Sequence, residues 1–162
     1  MNRGVRGVRR IARDDGAFVE GPLAQGVVAV TAIAAAAEES GADALSLVNT
    51  FVSLAIDART RTPHIGAGFG GLSGPAIKPI ALRMVYEAAQ NVKIPVIGLG
   101  GIASGEDAAE FLIAGATAVQ VGTATFWNPR APLRIASELD EFMKANKVQS
   151  VRELVGTLRF SG

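Results

Sequence analysis

Cysteine is absent from this chain, and histidine, tryptophan and tyrosine each occur once. Without cysteine the chain has no disulfide, no thiolate metal site and no cysteine nucleophile, a composition compatible with a cytoplasmic home. Charge of one sign is scarce as well. Acids and bases nearly cancel at a formal net charge of +1, so no broad basic face for nucleic acid or a membrane surface is expected. The arginines crowded into residues 1–13 are the exception, but no aromatic residues interleave them as a nucleic-acid arm would require. Long apolar runs are also missing. Val27 to Ala37 is nearly unbroken yet too short to span a bilayer, and no basic-then-apolar leader opens the sequence. What is present is an apolar fraction of 49% over 162 residues, enough for the core of one domain spanning 1–162.

The chain is organised around Pro95-Val-Ile-Gly-Leu-Gly-Gly-Ile-Ala-Ser-Gly-Glu-Asp107. A short β-branched run, a glycine turn and then Ser-Gly-Glu-Asp predict a buried strand, a tight loop and a capped helix start. The loop faces a helix N-terminus, where main-chain N–H groups and partial positive charge favour an anion such as phosphate.

In chain order, Val5, Val8 and Ile11 are spaced for a surface helix over Met1 to Arg13, and Ala17 to Glu20 reads as a short strand cut off by Gly21-Pro22. Thr31 to Ser40 are strong helix formers, with Gly41 where a left-handed cap belongs, and Ala44 to Val48 reads as a strand ending at Asn49-Thr50. The same grammar returns as a helix from Glu106 to Ala114, a joint at Gly115, and a strand Val119 to Val121 ending at Gly122-Thr123. Gly-Ala-Asp-Ala-Leu and Gly-Ala-Thr-Ala-Val are two copies of one helix-to-strand joint. Repeated units of this kind predict parallel strands covered by helices, an α/β protein. Between them, Phe51 to Pro75 reads as a long glycine-rich loop carrying Asp57, Arg59, Arg61 and His64 as solvated groups, placed to act as a lid. Helices are expected from Lys78 to about Gln90, from Leu133 to Ala145 and around Val151 to Leu158, with Trp127 packing the last helix against the barrel end. Lys78 is expected on the surface or near a phosphate, without a role.

Gly98-Leu-Gly100-Gly101-Ile-Ala103 fits the dinucleotide pattern G-x-G-x-x-A, but that site needs an acid at the end of the next strand, which here ends in Gly122-Thr123. Paired loops give a better reading. In (β/α)₈ barrels the turns after two successive strands build a phosphate site from main-chain donors, and Gly100-Gly101 and Gly122-Thr123 lie one βα unit apart. The alternative is that these glycines serve only as tight turns.

Asn49-Thr50, Gly70-Gly-Leu-Ser-Gly-Pro-Ala-Ile-Lys-Pro79, Ile97-Gly-Leu-Gly-Gly101 and Val119-Gln-Val-Gly-Thr-Ala124 together resemble the carboxy-terminal part of dihydroorotate dehydrogenases, with wording and spacing agreeing from about Val27 to Leu158. The resemblance is to the bacterial NAD-linked type, whose catalytic subunit pairs with an iron-sulfur, FAD-carrying electron-transfer subunit. It implies a partial FMN-binding (β/α)₈ TIM barrel, the carboxy-terminal half. It also implies oxidation of dihydroorotate to orotate in pyrimidine synthesis, and a homo-oligomer. By position, Val48, Gly74, Gly100, Gly101, Gly122 and Thr123 correspond to FMN-binding residues, and Asn49 and Thr50 to substrate contacts. Glycine loops offer a flavin phosphate close-approaching N–H donors, and an amide and a hydroxyl suit a planar pyrimidine. Asn49-Thr50 as a strand-end turn and Val48 as core remain the alternatives.

The resemblance also has limits. The family's base, a cysteine or serine, belongs to a first-half segment with no counterpart here, so no catalytic residue is assigned. Residues 1–26 match poorly, and Pro22 stands where the family has a flavin-contacting lysine. The expectation is a second half that binds FMN weakly at best and lacks dehydrogenase activity by itself. A flavin domain like that of dihydropyrimidine dehydrogenase, a non-redox phosphate-binding barrel enzyme, and a non-catalytic assembly partner are the competing readings.

Overall fold

The structure, a computed structural model, describes the backbone of residues 9–13, 16–20 and 27–160 and the side chains of residues 30–160. Strands β1 (Arg9–Arg13) and β2 (Gly16–Glu20) pair antiparallel, with Ile11 opposite Phe18. The strand at Ala17 to Glu20 is thus as expected, whereas the expected helix over Met1 to Arg13 is a strand from Arg9 onward. Three apolar residues are too few to fix a helical period, and pairing with the facing strand decides the conformation. Residues 1–8 and 21–26, including Pro22, lie outside the described residues.

Helix α1 (Val27–Glu39) starts before the expected Thr31, and burial explains why. Val30 and Ala34 pack with Ala88 of a later helix, and such burial overrides the modest helix propensity of valine. The helix ends at Gly41, whose φ of 86° is the left-handed cap. Glu38 Oε1 then accepts from the amides of Lys93 (2.7 Å) and Ile94 (3.1 Å), tying this end to the approach of the central strand.

Strand β3 (Leu45–Leu47) follows, and then the segment expected as an open loop. It holds four short strands: β4 (Phe51–Ser53), β5 (Ile56–Asp57), β6 (Thr62–Pro63) and β7 (Gly70–Leu72). β4 pairs antiparallel with β7 and β5 with β6, so the segment is one ribbon nested in another. Its turn is closed by Asp57 Oδ1, which accepts from the amides of Arg59 (2.8 Å) and Thr60 (3.2 Å). The glycines hid this strand because they are there for approach rather than looseness. A Cβ on Gly70 would lie 2.6 Å from Ile65 Cδ1.

The remaining chain alternates helix and strand: a 3₁₀ turn at Pro75–Ile77, α2 (Lys78–Ala89), β8 (Val96–Leu99), α3 (Gly105–Ala114), β9 (Ala118–Gln120), α4 (Ala124–Trp127) and α5 (Ala131–Ala145). The expected helix around Val151 to Leu158 is only a 3₁₀ turn, Val151–Glu153. β8 is central. It pairs in parallel with β3 on one side (Leu47 opposite Gly98) and β9 on the other (Gly98 opposite Val119). Helices α2 and α3 seal one face of this sheet, where Val85, Val96 and Phe111 are the largest fully buried side chains. Gly98 makes room for the Phe111 ring, since a Cβ there would lie 2.6 Å from Phe111 Cδ1. The joint after α3 repeats that after α1, with Ala116 N on Phe111 O (3.0 Å) and Ala42 N on Ala37 O (3.1 Å). Parallel strands alternating with helices on one face make an α/β partial (β/α)₈ barrel, as expected.

Candidate functional site

A cavity of about 980 Å³ opens along the carboxyl ends of β3, β8 and β9. All eight residues singled out from the sequence line it: Val48, Asn49 and Thr50 after β3; Gly74 before α2; Gly100 and Gly101 after β8; Gly122 and Thr123 after β9. Parallel pairing is the cause. It stacks the three strand ends at one edge, so residues far apart in sequence share one rim.

The close contacts are specific. Gly100 and Gly101 turn with positive φ of 130° and 84°, a conformation that disfavours any side chain. A Cβ on Gly100 would lie 2.7 Å from Ala81 Cβ and 3.1 Å from Val48 Cγ2, and one on Gly101 would lie 2.8 Å from Gly74 O. A Cβ on Gly74 would sit 3.6 Å from Thr123 Cγ2, so the β8 turn, Gly74 and the β9 turn form one continuous wall. Gly122 differs, because its added Cβ would meet nothing within 4 Å. Among the described residues, the amides of Gly101, Gly122 and Thr123 donate to no protein acceptor. These are unused donors on a cavity wall, the requirement for gripping a phosphate without a charged side chain.

The Val48 amide extends the sheet by donating to Leu99 O (2.8 Å), and its side chain is buried, so it belongs to the core and the wall together. Asn49 Oδ1 accepts from the Thr50 amide (2.7 Å), which fixes the turn and leaves the Asn49 Nδ2 donor exposed at the rim. Residues that sequence reasoning passed over line the cavity too: Ser46, Ser73, Gln120 and Thr125. Ser46 Oγ donates to Gln120 Oε1 (3.0 Å), a bridge from β3 to β9 over the inner face of β8. Ser73 and Gln120 sit inside the very strings that carried the resemblance, so a reading of polar residues at strand period would have found them. No charged side chain lines the cavity among the described residues.

Four expectations need correction. The N-terminus of α3 is not open to an anion. Asp107 Oδ2 accepts from the amides of Ala103 (2.8 Å) and Ser104 (2.9 Å), Ser104 Oγ accepts from Asp107 N (3.1 Å), and Glu138 Oε2 accepts from Gly105 N (2.8 Å). The capping box expected there is present, and its carboxylates fill the position an anion would take. Lys78 is neither free nor aimed at the cavity, because its Nζ pairs with Asp107 Oδ1 (2.5 Å) and Glu110 Oε2 (2.8 Å). Burial favours the neutral amine, but the two carboxylates outweigh it and raise the Lys78 pKa. Burial likewise disfavours the Asp107 carboxylate, yet Lys78 and the amides it accepts from hold its pKa below the ordinary value. Trp127 does not pack the last helix against the barrel end, since it is 57% exposed beside Phe126 at 88%. The long segment does not close over the site as a whole, because only Phe51, Ser73 and Gly74 of its length line the cavity. His64 is exposed and outside the cavity, as expected.

No helix among the described residues is long and apolar enough to cross a membrane, and no cluster of potential metal ligands occurs among them.

The chain is similar to proteins of known family. The family described as dihydroorotate dehydrogenase matches residues 22–143. A relative from Solibacter usitatus named dihydroorotate dehydrogenase A (fumarate) is 72% identical over 85% of this chain and 45% of its own length. Catalytic subunits named dihydroorotate dehydrogenase B (NAD(+)) are 53% identical in Citrifermentans bemidjiense, over 84% of this chain and 45% of theirs, and 50% identical in Porphyromonas gingivalis, over 95% and 49%. The chain thus spans about half the length of the curated relatives it matches. A crystal structure of the Eimeria tenella enzyme in complex with ferulenol superposes with a TM-score of 0.66 at 27% identity, covering 79% of this chain and 34% of that one.

Proposed function

The chain belongs to the dihydroorotate dehydrogenase family, and from that premise we propose that it supplies the phosphate-gripping wall and part of the pyrimidine rim of an FMN site that oxidises dihydroorotate to orotate. The observation that carries this reading is the convergence of all eight candidate residues on one cavity. Its volume suits a ligand of cofactor size, and its unused amides suit a phosphate. Bound there, FMN supplies a hydride acceptor.

The chain's own residues would act as follows. The amides of Gly101, Gly122 and Thr123 hold the phosphate, and the space over Gly122 admits it. Val48 walls the cofactor side, while the Asn49 amide and the Thr50 hydroxyl orient the pyrimidine. The cavity wall holds no charged side chain or histidine among the described residues, so its serine and threonine hydroxyls have no base on that wall to pass on a proton taken from dihydroorotate. Binding without turnover is the consequence for this chain by itself.

Two of the relatives are named catalytic subunits, which supports a separate partner subunit for electron transfer; its iron-sulfur and FAD groups are what the family resemblance adds. The Solibacter relative's name supports fumarate as acceptor instead. Exposed Val52, Leu54, Ile56, Phe69 and Leu72 along the nested ribbons support a homo-oligomer. Titration of the purified chain with FMN, followed by quenching of flavin fluorescence, tests the reading. Weak saturable quenching with no bleaching of the flavin band on adding dihydroorotate is expected. Absence of any quenching would remove the cofactor assignment, and rapid bleaching would overturn the expected lack of turnover.

A further inference from the structure

The charge network behind the β8 turn is not accounted for by ligand contact, since neither Lys78 nor Asp107 lines the cavity. It is nevertheless built onto the back of that turn. A Cβ on Gly101 would lie 2.9 Å from Lys78 Cβ and 3.0 Å from Lys78 N, so the first residue of α2 is the surface on which Gly101 rests. The Lys78 ammonium reaches on to Asp107 and Glu110 of α3. Asp107 uses its other oxygen to hold the amides of Ala103 and Ser104, the residues that carry the chain out of the turn. From the far side, Arg134 of α5 donates to Ala103 O (2.8 Å) while paired with Glu138, which holds the Gly105 amide. Charged groups of α3 and α5 thus bond residues 103–105, Lys78 of α2 joins them through Asp107, and none of these bonds uses the Gly101 amide.

We propose that Lys78 and Asp107 are positioning residues: their ion pair locks α2 to the exit of the β8 turn and thereby aims the Gly101 amide at the phosphate. This rests on the phosphate reading for its purpose, but the clamp is a property of the chain with or without a ligand. An ammonium bridging two carboxylates at this degree of burial holds its partners in one arrangement, because each charge is disfavoured without the others. The arrangement it fixes is one in which glycine alone fits at position 101.

The test uses the full chain and its Lys78→Met, Lys78→Arg and Glu110→Gln variants, read by amide chemical shifts and hydrogen exchange, with FMN titration alongside. In Lys78→Met the Gly100 and Gly101 amide shifts are expected to move. Exchange at Ala103 and Ser104 should speed up about tenfold, as loss of a charge-assisted bond from the local opening equilibrium implies. The Thr117 amide, bonded to Val96 O in the core, should stay protected. Lys78→Arg should restore both signals, and Glu110→Gln, which keeps the Asp107 contact, should show the same change at smaller size even if Lys78→Met fails to fold. Unchanged Gly100 and Gly101 shifts in folded variants would overturn the proposal, as would protection lost equally at Thr117, which marks a merely stabilising pair. If the unmodified chain binds no FMN, the cofactor reading fails while the exchange measurements still decide the clamp.

Discussion

After β8 the chain turns through Gly100 and Gly101 against packed neighbours, and the exit of that turn is held by charged groups of α3 and α5, with Lys78 of α2 joined to them through Asp107. After β9 it turns at Gly122, with open space where a side chain would be, and the next helix, α4, is one turn long and carries exposed Phe126 and Trp127. The two turns are alike in sequence position and composition but differ in what determines them. The first is shaped by the protein, because left-handed backbone and close packing leave room for glycine alone. The second is empty of protein constraint, so its glycine makes sense through what would fill the space. Gly101 is therefore required by the fold, whereas Gly122 has little part in folding and its proposed place in the site is what would account for it.

The largest expected effect tests the first half of that contrast. Gly101→Ala places a methyl group against Gly74 O in a left-handed backbone and should lower unfolding free energy by about 3 kcal/mol, measured by urea denaturation. An unchanged midpoint would erase the distinction between the turns.

Asp107→Asn comes next, at about 1–2 kcal/mol, because it weakens a helix cap and an ion pair together. Its pH dependence has a definite sign. The folded pKa lies below the ordinary 3.8, so the contribution is complete above that value and is lost as the pH falls through the lowered one. Lys78 works in reverse: its contribution is complete below 10.5 and lost as the pH rises through its raised value. Stability measured against pH should therefore lose part of its acid limb in Asp107→Asn. An acid limb identical to that of the unmodified chain would show that the Asp107 carboxylate is not held as the geometry requires.

Gly122→Ala should be smallest in stability, within about 0.5 kcal/mol, since the new methyl group meets no protein atom. FMN affinity should nonetheless fall about tenfold, equivalent to ~1.4 kcal/mol, if a phosphate occupies that space. Destabilisation comparable to that of Gly101→Ala would collapse the comparison, and unaltered affinity would move the phosphate elsewhere.

The strand-turn-helix units were legible because each carries a local signature: a β-branched pair at the start of β8, Ser104 with Asp107 at the cap, and Gly41 and Gly115 at the helix ends. The rim residues were legible as strings, Asn49-Thr50 and Gly100-Gly101 among them. The nested ribbons were not, because β4 to β7 are two or three residues each and are held by partners across the ribbon rather than by any run of strand formers. Lys78 was unreadable for a similar reason, since its carboxylate partners lie 29 and 32 positions away on another helix.

By itself the sequence determined which segments are helix and strand in the repeated units, and which glycines end the strands, since periodicity, caps and β-branching act over a few residues. Only the tertiary structure decided that three strand ends share one cavity, that the amides of α3 are filled by carboxylates, and that one glycine turn is clamped while its neighbour stands open. Those outcomes depend on which groups meet across the fold, and burial and charge take effect only once they do.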